Sequence, residues 1–220
     1  FERKATQGTL AVDGTIGSNL RWGAYYSHGE LENNIDTPGF MLTQNYANAV
    51  DSVINPATGQ AVCRVALTDP TTSCVPINLF GEGAPSAAAA AYVTGTPTSR
   101  SKTTLDVGGI SLRGEPFALP AGEVSFAVGV EARREGIDTT VGALDAARAF
   151  TSFSFSPLDG DFTVKEAFGE VVVPLIHNTP LLRKLELNGA VRVSDYSTTG
   201  AIWSYKVGGT NEFFPGFRGR

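Results

Sequence analysis

The chain has 220 residues, of which 18% are charged, 42% hydrophobic and 25 are glycine, with a formal net charge of −5. That content excludes an intrinsically disordered chain, and the length can bury one sizeable core. The composition is not that of a coiled coil, and a pI near 5.1 leaves no basic stripe to neutralise the phosphates of nucleic acid.

Period-two alternation recurs along the chain, the pattern of strands whose two faces differ. Thr6, Gly8, Leu10, Val12 and Gly14 predict one face of a first strand. The tight Gly17-Ser18-Asn19 precedes a second, in which Leu20, Trp22, Ala24 and Tyr26 alternate with Arg21, Gly23, Tyr25 and Ser27. Residues 34–103 then form a very long connection. Within it Phe40, Met41, Leu42, Tyr46, Ala49, Val50 and Val53 recur at helical spacing until Asn55-Pro56, and a second short helix is predicted over Ser86–Val93. Cys63 and Cys74 lie between them in a polar stretch rich in Pro and Thr. A close pair in such a loop reads as a disulfide formed in an oxidising compartment; the competing reading is two free thiols.

A glycine-bearing strand follows at Leu105–Arg113, then a turn at Leu119-Pro120-Ala121-Gly122. In Glu123–Arg133, Val124, Phe126, Val128, Val130 and Ala132 form the apolar face. After a long connection from Ile137 to Gly160, Phe162–Pro174 is extended, but the run Val171-Val172-Val173 leaves its facing ambiguous. The turn His177-Asn178-Thr179-Pro180 leads to Leu185–Ser194, and the short Asp195–Thr199 leads to Ala201–Gly208. Phe214-Pro215-Gly216 then introduces an eighth strand at Phe217–Arg220.

In an antiparallel meander, odd and even connections lie at opposite ends of the strands. The short turns therefore gather at one end and the long connections at the other. Outer-membrane β-barrels have this asymmetry, with short periplasmic turns and long extracellular loops. No run of 18 apolar residues marks a membrane helix, but a membrane strand needs only about 9–11 alternating residues. The expected fold is all-β: an up-and-down transmembrane β-barrel fragment of about eight strands, with short helices in its long extracellular loop. A soluble β-sandwich is the rival reading. The start at Phe1, without Met, and the end inside a patterned run are expected of a fragment.

In such a barrel Glu123, Glu131, Arg133, Glu186, Asn188, Arg192 and Lys206 are the candidate lumen-facing residues, because Arg or Lys facing lipid at the midplane costs about 2–4 kcal/mol. They serve ligand guidance or plug contacts, or simply solvate a water-filled interior. Trp22, Tyr25, Tyr26, Trp203 and Tyr205 are candidate membrane-interface aromatics, or ordinary strand packing. His28 and His177 fall toward opposite strand ends, so a shared catalytic site is not expected, and no cofactor or metal is implied.

Several runs resemble the barrel of TonB-dependent outer-membrane receptors. They are Leu119-Pro120-Ala121-Gly122 with Gly129-Val130-Glu131-Ala132-Arg133, and Phe162-Thr163-Val164-Lys165-Glu166-Ala167-Phe168-Gly169-Glu170 with Val173-Pro174-Leu175. So are Leu185-Glu186-Leu187-Asn188-Gly189-Ala190-Val191-Arg192, Ser194-Asp195-Tyr196-Ser197-Thr198 and Tyr205-Lys206-Val207-Gly208. The stretches Thr58–Arg64 and Cys74–Gly81 resemble an extracellular loop of one large branch of that family. The resemblance implies energy-coupled import across the outer membrane of a Gram-negative bacterium. The ligands it implies are siderophores, carbohydrates or other nutrients. The family barrel has about 22 strands and an N-terminal plug that couples to TonB. This sequence carries no plug and no TonB box, so residues 1–220 are expected to be a middle section of barrel wall, an open sheet if alone. The alternatives are a passive porin-like channel and a soluble all-β binding module.

Overall fold

The computed structural model of the chain describes residues 1–180 and 182–220. Strands β1 (Glu2–Ile16) and β2 (Leu20–Asp36) come first. Next are β3 (Phe40–Met41), helix α1 (Thr43–Val50), β4 (Ser52–Ile54), β5 (Ala61–Cys63) and a 3-10 turn (Arg64–Leu67). Helix α2 (Ala87–Val93) and β6 (Thr94–Gly95) lead into β7 (Thr98–Leu119) and β8 (Gly122–Val141). After α3 (Ala143–Ala146) come β9 (Leu158–Thr179), β10 (Leu182–Tyr196), β11 (Gly200–Phe214) and β12 (Phe217–Gly219).

The fold is all-β. Eight strands form one up-and-down antiparallel sheet in the order β1-β2-β7-β8-β9-β10-β11-β12, so β1 and β12 are its two edges and the sheet is open. Each predicted strand is present, and the short turns fall at the predicted Gly, Pro, Asn and Ser residues, except that His177, Asn178 and Thr179, predicted as part of a turn, continue β9. The strands are longer than their alternation: Phe162–Pro174 lies within β9, Leu105–Arg113 within β7 and Glu123–Arg133 within β8. Hydrophobic contrast marks only the stretch with one apolar face. Toward the long connections the strands are largely polar on both sides and continue through ladder hydrogen bonds, which leave no trace in composition. The two long connections shrink accordingly, to residues 37–97 and 142–157.

The predicted helix over residues 40–53 keeps only its middle. Phe40 and Met41 pair with Gly95 and Thr94, and Ser52–Ile54 pairs with Ala61–Cys63. Strand partners distant in sequence outweigh the helical spacing there. Ser86 caps α2 as its sequence suggests, accepting from the Ala89 N–H at 3.1 Å.

The chain divides into two compact units: residues 1–4, 31–102 and 137–159, and residues 5–30, 103–136 and 160–220. The first unit holds most of the conventional core. Leu42, Ala49, Cys63, Ala89, Val93 and Phe150 are buried there, with Phe150 edge-on to Phe40. Among the described residues of the second unit, only Val124 and Val164 are buried apolar side chains. It is a single sheet layer with neither face covered, whereas a sheet in water must bury one face against another layer.

Close backbone approach fixes one glycine in this second unit. A Cβ on Gly114 would lie 2.1 Å from the Asn19 carbonyl oxygen and 3.0 Å from the Leu20 Cα. Both are backbone, so no rotamer change relieves the clash, and the Asn19 carbonyl is also held by the Glu115 N–H at 3.1 Å. Gly114→Ala is expected to destabilise by about 1–3 kcal/mol. Urea unfolding of the intact protein reads this as a lowered midpoint. Gly160→Ala, where nothing lies within 4 Å of the new methyl, is the control that should leave it unchanged.

Candidate functional site: the two faces of the sheet

Register assigns the faces of the second unit. Across β10 and β11, Leu187 stands opposite Gly209, Gly189 opposite Val207, Val191 opposite Tyr205 and Val193 opposite Trp203. Across β10 and β9, Leu187 meets Val173, Gly189 meets Val171, Gly169 meets Val191 and Ala167 meets Val193. Directly paired residues point to the same side, so these side chains share one face. The ambiguous run therefore resolves: Val171 and Val173 join the apolar face, and Val172 points the other way, opposite Asn188.

This face is almost entirely apolar and uncovered. Val128, Val130, Val171, Leu187 and Val191 are all more than a third exposed, and Tyr205 and Val207 are 86% and 84% exposed. The apolar stretch covers Leu185–Val193 in β10, Ala201–Gly209 in β11 and Val124–Ala132 in β8. That is about nine residues per strand, about 30 Å along the strand at ~3.3 Å per residue.

Charge marks the end of this stretch nearest the long connections. One ladder step past Val193 and Ala167, Asp195 stands opposite Lys165. Alongside, Arg134 Nε lies 3.1 Å from Asp161 Oδ2. On β2 and β7, His28 Nδ1 lies 2.8 Å from Asp106 Oδ1, which also accepts the Tyr26 hydroxyl at 2.5 Å. At that end the apolar band therefore gives way to a row of charged and polar side chains.

The opposite face is polar and carries a connected network. Ser194 donates its hydroxyl to Glu166 at 2.5 Å. Arg133 and Arg192 approach the other oxygen of that carboxylate at 3.9 and 4.0 Å. Arg192 also lies over the Phe168 ring, 5.5 Å from its centroid. Phe168 in turn fills the space above Gly129, where a Cβ would meet its ring at 2.6 Å. The Tyr25 ring lies over Gly109 in the same way, and its hydroxyl donates to Glu131. Near the short turns, Arg21, Arg113, Glu115, Glu123 and Glu170 line an open concavity of about 440 Å³.

The seven candidate lumen-facing residues fall on this polar side. Glu186, Asn188 and Arg192 share one face of β10, and Lys206 joins them opposite Ala190. Arg133 reaches Glu166, Glu131 reaches Tyr25, and Glu123 lines the concavity with Glu170. Trp22, Tyr26, Trp203 and Tyr205 lie on the apolar side: Trp22 and Tyr26 alternate with Tyr25, and the other two pair with Val193 and Val191. Tyr25 is the exception among the aromatics and belongs to the polar network. Sequence reasoning missed Ser194, Phe168, Arg21 and Arg113 as site members. The phase of Phe168 with Glu166 and Glu170 was a usable signal for one of them. It also missed Phe214 and Phe217, whose rings stack 4.8 Å apart at the last turn.

The first unit carries the cysteines. Cys63 and Cys74 form a disulfide, with Cα atoms 6.2 Å apart. Around it Arg64 Nε contacts both oxygens of Asp51, at 3.1 and 3.0 Å, which raises the guanidinium pKa. The hydroxyl and N–H of Thr71 both donate to Asp69 and hold its carboxyl below the usual range. Among the described residues, no group of three or more His, Cys, Asp or Glu could hold a metal ion. No helix among them is long and apolar enough to cross a membrane, which says nothing of strands. A scan against protein-family models finds no match, and a search of curated proteins finds none either.

Proposed function

We propose that this chain is a stretch of barrel wall from a TonB-dependent outer-membrane transporter, taking part in energy-coupled uptake of a siderophore, carbohydrate or other nutrient. The observation that carries the membrane part is the uncovered apolar band of about nine residues per strand, which meets charged side chains at the end nearest the long connections. A soluble module would expose that band to water, against the hydrophobic effect. Lipid covers it without any further protein layer. The polar face then borders the lumen, where Glu166, Arg133 and Arg192 sit in reach of a plug or a passing solute. The transporter part rests on the sequence resemblance. A passive porin-like channel shares the same wall.

Two measurements separate these readings. The intact protein is expected in the outer-membrane fraction after alkaline carbonate washing, with mobility on gels that changes on boiling. Recovery in the aqueous fraction without detergent would sink the membrane reading. Uptake that needs TonB and an energised inner membrane supports the transporter; uptake indifferent to both supports the channel.

A further inference from the structure

We infer that Asp145 latches the two long connections, residues 37–97 and 142–157, into a single body that moves as one. Asp145 is 1% exposed, and no cation pairs with it among the described residues. Each of its oxygens serves a different segment. Oδ2 accepts the Thr98 N–H at 2.8 Å, where the first connection enters β7, and Oδ1 accepts the Phe155 N–H at 2.9 Å, at the far end of the second. The carboxylate is therefore not a local cap for α3, whose N-cap Gly142 makes no side-chain bond.

The surrounding contacts all cross between the same two connections. Leu42 and Phe150 form an isolated bridge. Beside it Thr43 N–H donates to the Ala149 carbonyl at 2.9 Å, and Thr151 N–H donates to the Met41 carbonyl at 3.0 Å. Gly95 leaves the notch that Leu42, Leu144 and Phe150 fill: a Cβ there would stand 3.0 Å from the Phe150 ring and 3.3 Å from each leucine. Phe40 reaches across to Phe153, with ring centroids 6.2 Å apart. Cores of this kind are bistable rather than continuously deformable. A pair of loops so joined swings together or separates by losing the whole contact set. On the transporter reading, which this inference deepens, the ligand meets the two connections as one body rather than as two independent loops.

Paired spin labels on the intact protein test this, with the native disulfide kept oxidised. One pair, Gln44→Cys with Ala147→Cys, spans the two connections at exposed positions; a second, Gln44→Cys with Ala88→Cys, lies within the first. The expected result is a single narrow distance for both pairs. Asp145→Ala should broaden only the spanning pair, and should speed amide exchange about 10- to 100-fold at both Thr98 and Phe155, since both lose their acceptor. Asp145→Asn, with one acceptor oxygen, should protect one of the two. A spanning distance unchanged by Asp145→Ala overturns the latch. So does broadening of both pairs, because the carboxylate would then support the whole unit. The distances read the same in membranes or in aqueous solution, so failure of the membrane reading shows in the fractionation and not here.

Discussion

Val191→Arg is expected to remove most of the folded protein from the outer membrane, whereas Ala190→Arg, one residue away, is not. Val191 lies in the middle of the apolar band, 46% exposed, between Tyr205 on β11 and Gly169 on β9. If hydrocarbon covers that face, a guanidinium at the midplane costs about 2–4 kcal/mol. At 1.4 kcal/mol per tenfold, this is roughly 30- to 1,000-fold in the folding equilibrium. Ala190 points to the other side, with Lys206 and Glu170 as its cross-strand neighbours. An arginine there enters a face already built of charge and can approach Glu170. The contrast between the variants matters more than either alone, because both change the same strand by the same side chain. In a soluble module the sign reverses: replacing a water-exposed valine with arginine would be neutral or would improve solubility. Membrane-fraction yield and boiling-dependent mobility read the outcome, and equal yields for the two variants would refute a lipid-facing band.

The same strand shows why the sheet was legible in the sequence. Leu185 to Val193 alternates without a break, so its period fixes both the strand and its facing. Val171-Val172-Val173 has no alternation, and only the pairing with Gly189, Asn188 and Leu187 decides which of the three share the apolar face. The polar extensions of β7, β8 and β9 escaped for a related reason. Once both faces meet water, nothing in the side chains distinguishes a strand from a loop. The site divides likewise. Charges on the polar phase could be named one by one, but the convergence of Arg133, Arg192 and Ser194 on Glu166 joins three strands, and register between strands is not written in any one of them. Phe168 and Tyr25 over Gly129 and Gly109 are complementary across strands in the same way. In the first unit, Ser86 announced its helix locally, while the Asp145 contacts link residues 47 and 10 positions apart and left no local signal.

Removing the disulfide is expected to free residues 64–76 without loosening the sheet. The bridge closes a ring across a sequence separation of 11. Loop-closure entropy for a ring of that size gives about 3 kcal/mol of stabilisation. Few other contacts are positioned to replace it. Arg64–Asp51 is an ion pair with both side chains more than half exposed, where solvent screening leaves it little to contribute. The hydrogen bonds of Asp69 to Thr71 and of Cys74 N–H to Thr72 are internal to the ring and tie it to nothing else. The backbone anchors lie at its two ends: the Arg64 N–H donates to the Asp51 carbonyl at 2.8 Å, and beyond the second cysteine the Ile77 N–H donates to the Ala49 carbonyl at 3.0 Å. Cys74→Ser should therefore speed amide exchange across the ring about 100-fold, the equivalent of ~3 kcal/mol. Cys63→Ser should go further, because Cys63 is fully buried and a hydroxyl there lacks the sulfur's apolar packing. Strands β10 and β11 and residues 160–179 of β9 belong to the other compact unit, so their exchange should not change. If reduction leaves the ring as protected as before, its own turns suffice to hold it. If protection falls in the strands as well, the two units fold as one, and the bridge stabilises more than the loop it closes.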